Sequence, residues 1–398
     1  MNTNNLRKST KAVYTAPDPL TGAVSTPIYQ TATYQFKSTQ EGAARFLGEE
    51  EGYIYARLGN PTTQQFEQKI SALENAEASL AFASGMGAIS AVLFHNLKAG
   101  DHIISQSSIY GCTYDILTST IPNLGVDVTF VDGANPLEIM ANLRPTTKYI
   151  YVETIANPTL TIADIPTIAE VTRSHNGRYD YGCQLVVDNT FASPYFCNPI
   201  DLGADIVLHS ATKYIGGHGD VLAGVVSSDA ETIASIAGTT QKNIGSILGP
   251  QDAYLLLRGL KTLPIRMKEQ QKSAFTIANH LLEHPKVEKV HYPGLVSHPQ
   301  YDIATNIMSG YGSVISFEVK GGVEAGSKLL NNLKLIHLAV SLGSVDSFIE
   351  HPASMTHSIV PEEDRLKANI SNGLIRFSVG LEDVRDLLED LEQALDKI

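Results

Sequence analysis

The stretch DIVLHSATKYIGGHGD, residues 205–220, decides how the rest of the chain is read. It opens with the apolar run Ile206, Val207 and Leu208, a short buried strand, and breaks into a turn holding Ser210, Thr212 and Lys213 ahead of Gly216, Gly217 and Gly219. An ammonium group at the mouth of a buried strand is poorly solvated, so its pKa falls, and a lysine in that state serves as a nucleophile or Schiff-base partner. Two hydroxyls just before it suit phosphate oxygens while the amine takes an aldehyde. That pairing of functions fits pyridoxal phosphate.

A chain of 398 residues is too long for one small core and divides into two domains with extra segments at the ends. Its 43% hydrophobic content is that of a globular protein, and its net charge of −13 argues against nucleic-acid or anionic-membrane partners, which need basic surface. Cys112, Cys183 and Cys197 are odd in number and lack CxxC spacing, so neither a disulfide framework nor a zinc site is expected. His209, His218 and Asp220 offer metal-ligand chemistry on composition alone, but the glycine turn explains them and no metal is expected. With no signal-peptide core and no run of about 18 apolar residues, the expected setting is the reducing cytoplasm.

Residues 1–62 lack a sustained period and carry Pro17, Pro19, Gly22, Pro27 and Gly52, which predicts an extended arm that must lie on another surface, such as a partner subunit. Asn60 and Pro61 start a helix continued by Phe66, Ile70 and Leu73. The apolar run SLAF leads into the turn Ser84-Gly85-Met86-Gly87 and a second apolar helix, whose N-terminus offers free amides to an anion. Short strands follow at 102–106, 127–132, 148–153, 184–188, 205–209 and 222–226, with a helix from Ile165 to Ser174. This alternation predicts an α/β domain over 63–260 with a mostly parallel sheet, whose ligand lies beyond the strand C-terminal ends. After it comes a long helical region to about Glu283, then strands at 287–292, 313–319, 334–340 and 374–379. A closing helix presents Val384, Leu387, Leu388, Leu391 and Leu395 on one face, giving a smaller α+β domain over 261–398.

SGMGA (84–88), VVDNTFASP (186–194) and SATKYIGGHGD (210–220), in that order, resemble the family of pyridoxal-phosphate enzymes of cysteine and methionine metabolism. Its members include cystathionine γ-lyases, cystathionine γ-synthases and methionine γ-lyases. YARLGNPT (55–62) and HPASMTHS (351–358) extend the likeness over nearly the whole chain. The resemblance implies the aspartate aminotransferase-like fold of fold type I. It also implies that Lys213 carries the cofactor and moves protons, that Asp188 pairs with the pyridine nitrogen, and that Gly85, Met86, Ser210 and Thr212 hold the phosphate. Tyr55 and Arg57 match residues that a neighbouring subunit lends to that phosphate. Tyr110 matches the tyrosine stacked on the ring, which acts as acid toward the leaving group once adjacent cations lower its pKa. Arg376 matches the arginine that grips the substrate carboxylate, with Asn157 and Ser341 as further contacts.

Within the family, the residue before Ser341 reports on the distal end of the substrate. Val340 is apolar where cystathionine enzymes typically have a glutamate, and Cys112 stands two residues after Tyr110, as in methionine γ-lyases. Gln241-Lys242 departs from the Lys-Asp usual in methionine γ-lyases. The expected reaction is γ-elimination of L-methionine to methanethiol, 2-oxobutanoate and ammonia. Cystathionine γ-lyase or a broad sulfur-amino-acid lyase is the alternative. The arm, Tyr55 and Arg57 predict a homotetramer of two dimers, each with shared sites.

Overall fold

The structure is a computed structural model that describes residues 6–18, 20–356, 358 and 361–398. Met1–Asn5 and Pro19 of the predicted arm, and His357 of the HPASMTHS motif, lie outside the described residues. Seven strands make the larger sheet: β1 (Ala78–Phe82), β2 (His102–Gln106), β3 (Asp127–Val131), β4 (Thr147–Glu153), β5 (Gln184–Asp188), β6 (Ile206–Ser210) and β7 (Gly224–Ser228). Their spatial order is β1-β7-β6-β5-β4-β2-β3. β7 runs antiparallel to β1 and β6, while the pairings from β6 across to β3 are parallel. Strands β2, β5 and β7 are almost wholly buried, the polar His102, Ser105, Ser227 and Ser228 along with their apolar centres, as strands inside a covered sheet are.

The second sheet holds β8 (Val287–His291), β9 (Val314–Val319), β10 (His337–Leu338), β11 (Phe348–Glu350) and β12 (Leu374–Ser378), in the order β10-β11-β12-β9-β8. The strand expected over 334–340 shrinks to two residues. The cause is a competing acceptor: the Asp390 carboxylate takes the backbone N–H groups of Lys334, Leu335 and Ile336, removing them from any ladder. β11, too short to carry a period, went unseen in the sequence. The closing helix Val384–Leu395 buries Leu387, Leu391 and Leu395, with Val384 and Leu388 packed at the margin.

Asn60 caps the helix Pro61–Glu74 by accepting from the Thr62 amide at 2.9 Å, and Phe66, Ile70 and Leu73 are fully buried beneath it. The first residues depart from a uniformly extended arm. Lys8–Val13 and Thr39–Leu47 are helices, and the first packs on its own chain with Ala12 fully buried. Lysines fasten it there: Lys11 Nζ donates to Asn75 Oδ1 at 2.8 Å, while Lys69 Nζ donates to the Tyr14 carbonyl at 3.0 Å and to Thr15 Oγ1 at 2.8 Å. Six residues with two lysines carry too little periodicity to reveal a helix whose stability comes from tertiary contact. Farther along, Leu20, Val24, Phe46 and Leu47 are exposed.

The predicted helical region up to Glu283 is two helices, Pro250–Leu260 and Leu263–Glu283. A Cβ on Gly259 would lie 2.3 Å from the Gly216 carbonyl oxygen, so only glycine lets the first of them pass against the 210–220 turn. Buried Arg266 on the second donates to the carbonyls of Tyr214 (2.8 Å) and Gly259 (3.0 Å). The turn after β6 is thereby held from behind, and Lys213 with it.

Candidate active site

Asp188 and Ser210 end the adjacent strands β5 and β6, and Lys213 follows within one turn, its amide donating to the Ser210 carbonyl at 3.1 Å. Facing them is the N-terminus of the helix Gly85–Asn96, where the Ser84 hydroxyl caps the Gly87 amide at 3.0 Å. The first-turn amides of Gly85 and Met86 have no partner within their own helix, and the dipole makes this end attractive to an anion. A Cβ on Gly85 would come within 3.0 Å of the Ser210 Cβ and 3.1 Å of its Oγ. The space between helix and strand is a cradle that a side chain would fill. Thr212 takes part less directly, because its hydroxyl donates to the Ala223 carbonyl at 3.2 Å and accepts from the Ala223 amide at 2.9 Å.

Asp188 is buried, and burial raises its pKa against the opposing hydrogen bonds of Thr190. Thr190 donates to Asp188 Oδ1 through both its hydroxyl (2.5 Å) and its amide (2.9 Å), while that hydroxyl accepts from the Ser210 amide at 2.8 Å. One side chain thus ties the two strand ends together. Tyr151 Oη lies 3.5 Å from Asp188 Oδ2.

Lys213 Nζ donates to Ser341 Oγ at 3.0 Å, and the Ser341 carbonyl accepts from Arg376 Nη2 at 2.9 Å. Ser341 manages both with φ at 125°, a backbone conformation uncommon for a residue with a Cβ. Burial lowers the Lys213 pKa to about 8, assisted by the Arg376 charge and opposed by Glu350. Arg376 Nη1 reaches Asn157 Oδ1 at 3.0 Å and Glu350 Oε1 at 2.9 Å. Asn157 is itself held by Glu153, whose Oε2 accepts the Asn157 amide at 2.9 Å and whose Oε1 accepts the Tyr110 amide at 2.8 Å. Lys213, Ser341, Arg376, Asn157, Glu153 and Tyr110 form one connected set across both sheets.

Residues 9–396 match the family of Cys/Met metabolism PLP-dependent enzymes. The chain belongs to this family. Its relatives include the L-methionine gamma-lyase of Fusobacterium nucleatum subsp. nucleatum, 51% identical over 95% of each chain. The cystathionine gamma-lyase of Bacillus subtilis is 45% identical over 96% of each. Among solved structures, cystathionine gamma-lyase from Lactobacillus plantarum complexed with L-serine superposes with a TM-score of 0.91 at 41% identity, covering 99% of both chains. The cofactor of this family is pyridoxal phosphate, and the site suits it. A desolvated amine meets the demand of an aldehyde, a buried carboxylate that of a pyridinium, and the Gly85–Ser210 cradle at a helix N-terminus that of a phosphate.

Other predicted members of this pyridoxal-phosphate site stand apart from the set. Tyr55 is exposed, and Arg57 lies over the Tyr55 ring and donates to the Lys242 carbonyl. Val340 is 57% exposed although it adjoins Ser341. Cys112 is exposed, with its thiol in hydrogen-bonding contact with the Tyr110 side chain. Cations do not lower the Tyr110 pKa as expected: burial and the Cys112 thiol push it well above the usual phenol range, and the Arg376 charge opposes them without prevailing. Gln241 is buried and donates to the Ala81 carbonyl at 2.8 Å, so it braces β1. His209 pairs with buried Glu74, while His218 Nδ1 lies 2.8 Å from the Gly216 carbonyl oxygen. Glu153, Thr190 and Glu350 were not singled out in the sequence. Thr190 sits inside a quoted motif, but Glu153 and Glu350 look like ordinary strand-end charges until the fold buries them.

Proposed function

We propose that the protein cleaves L-methionine with water to methanethiol, 2-oxobutanoate and ammonia by γ-elimination, acting as a carbon-sulfur lyase. The observation that carries the amino-acid chemistry is Ser341, whose hydroxyl and carbonyl join the Lys213 amine to the Arg376 guanidinium. Methionine as substrate draws on the relatives named L-methionine gamma-lyase, at 48–51% identity in Fusobacterium, Porphyromonas and Treponema, on Cys112 beside Tyr110, and on the apolar Val340.

When bound, pyridoxal phosphate supplies a conjugated electron sink for the negative charge that develops at the substrate α and then β carbon. Lys213 would hold its aldehyde carbon, Asp188 its pyridine nitrogen, and Asn157 its ring hydroxyl. Gly85, Met86, Ser210 and Thr212 take the phosphate, joined by Tyr55 and Arg57 of a second copy. With its pKa near 8, Lys213 is substantially neutral at mildly alkaline pH, so it accepts the proton from the α carbon and returns it farther along. Tyr110 would stack on the ring; its raised pKa keeps the proton on it in the resting site, and to protonate departing sulfur it needs neighbouring cations, Arg376 among them, to bring that pKa down. Arg376 holds the α-carboxylate.

The arm of residues 1–62 gives Tyr55 and Arg57 to its neighbour in a homotetramer of two dimers, which the exposed Leu20, Val24, Phe46 and Leu47 support. The protein acts in the cytoplasm. Free Cys112, Cys183 and Cys197 favour this, and no helix among the described residues is long and apolar enough to cross a membrane.

The test is 2-oxobutanoate formation from L-methionine and from L-cystathionine, with volatile thiol assayed beside the first. Methanethiol in step with the keto acid, at a rate above that on cystathionine, is expected. Preference for cystathionine would favour the second reading, a cystathionine γ-lyase, to which Gln241-Lys242 and the 45%-identical Bacillus relative lend weight.

A further inference from the structure

Arg376 has five N–H donors in a plane, and the fold occupies its two Nη atoms with two hydrogen bonds and one ion pair. Nη1 donates to Asn157 Oδ1 at 3.0 Å and is ion-paired with Glu350 Oε1 at 2.9 Å. One donor of Nη2 goes to the Ser341 carbonyl at 2.9 Å. Nε–H shares an edge of the guanidinium with Nη2, which carries a second N–H beyond the one given to Ser341. Nε is buried without a partner. A buried orphaned donor calls for an explanation, and a carboxylate engaging that edge in a two-pronged grip supplies one.

Three residues of neighbouring strands dictate which edge is left. Arg376 on β12 lies directly opposite Glu350 on β11 and opposite Ser316 on β9, so the three share a face of the sheet. Glu350 holds Nη1 directly. Ser316 acts at one remove, its hydroxyl donating at 2.6 Å to the carbonyl of Pro158, the residue after Asn157. Glu350 is only 2% exposed, and Oε2 has no hydrogen-bond partner among the described residues, while Oε1 is ion-paired with Arg376.

We propose that Glu350 is a positioning residue for carboxylate recognition: by clamping Nη1 it turns the Nε/Nη2 edge of Arg376 toward the α-carboxylate of the substrate. This rests on the reading of the substrate as an α-amino acid. The rival view makes Glu350 a buried counter-ion, whose charge matters and whose reach does not. Two variants separate them, since Glu350→Gln keeps the reach and loses the charge, while Glu350→Asp keeps the charge and withdraws the oxygen by one methylene.

The measurement is titration calorimetry of the holoenzyme with L-norleucine, which has no γ leaving group, and with n-pentylamine, the same molecule without its carboxylate. Wild type should prefer norleucine by about 10–100-fold, the worth of charged hydrogen bonds. Glu350→Asp should lose most of that preference with pentylamine affinity unchanged, and Glu350→Gln should keep most of it. The opposite order, or equal losses for both ligands, would overturn the proposal. Arg376→Lys tests the underlying reading: if wild type shows no preference, or Arg376→Lys retains it, the amino-acid assignment of Arg376 fails, separately from the role of Glu350.

Discussion

Asp188, Ser210 and Lys213 lie at the ends of two adjacent buried strands, and each is hydrogen-bonded within the chain, to Thr190 or to Ser341. Tyr55, Arg57 and Val340, assigned to the same site by their motifs, lie in exposed segments with no hydrogen bond or ion pair to those three among the described residues. The first group forms a floor whose geometry one chain completes, because sheet packing fixes the backbone and buried polar atoms must find partners. The second group forms a rim. Within the chain Arg57 is held by the Lys242 carbonyl and the Tyr55 ring, away from the floor, and the proposed second copy would supply the site that Tyr55 and Arg57 serve.

Breaking the floor at its centre should cost most. Lys213→Ala is expected to lower turnover by about 10²–10⁴-fold or more, the range for removing a positioned acid-base group, and to abolish the absorbance of lysine-bound pyridoxal phosphate. Persistence of that absorbance would show the cofactor held elsewhere. The rim gives a second loss of a different kind. Arg57→Ala should weaken cofactor retention by about 10–100-fold through one lost charged phosphate contact. Mixing unfolded Arg57→Ala and Lys213→Ala chains and refolding them together should restore turnover, since one hybrid site then has both residues intact. No recovery would place Arg57 in its own chain's site.

Thr190→Val tests the seam between β5 and β6. It removes a donor to Asp188 and an acceptor for Ser210, and should weaken cofactor affinity by about 10-fold, read by equilibrium dialysis. An unchanged affinity would make the seam structural only. Acidity gives a smaller effect with a definite sign. Burial lowers the Lys213 pKa to about 8, so the neutral, reactive amine fraction grows as pH rises through that value. Capture of pyridoxal phosphate by apoprotein should therefore accelerate up to about pH 8 and then level off; an acceleration continuing toward the ordinary lysine pKa would mean that Lys213 is solvated. The mildest change is Val340→Glu at the rim, which should move the methionine-to-cystathionine ratio of kcat/KM toward cystathionine by about 10-fold, one favourable charge interaction. A ratio that stays put would show that Val340 does not face the substrate.

Much of the floor was legible because its chemistry is local. SATKYIGGHGD brings a strand end, two hydroxyls, a lysine and glycines together within 11 consecutive residues, and SGMGA carries its own helix start. Strands β2 and β5 have the bounds of the sequence reading, since the apolar centres Ile103-Ile104 and Leu185-Val186-Val187 mark them, while the polar His102, Gln106 and Asp188 at their ends are buried with them. Other features depend on residues far apart in the chain. Asp390 truncates the strand at 334–340 from 50 or more positions away, and Lys11 and Lys69 dock the first helix.

By itself the sequence determined the strands of the larger sheet in their chain order, the strand end that bears Asp188, the turn after β6 that bears Lys213, and the family, because these follow from periodicity and from motifs spanning a few residues each. Only the tertiary structure decided that Ser341 couples Lys213 to Arg376, that Glu153 holds Tyr110 and Asn157 from below, and that Glu350 occupies one side of Arg376. A carboxylate in a sequence has no burial and no partner. Both arise when strands from two sheets close around it, and with them the desolvation and hydrogen bonds that set its role.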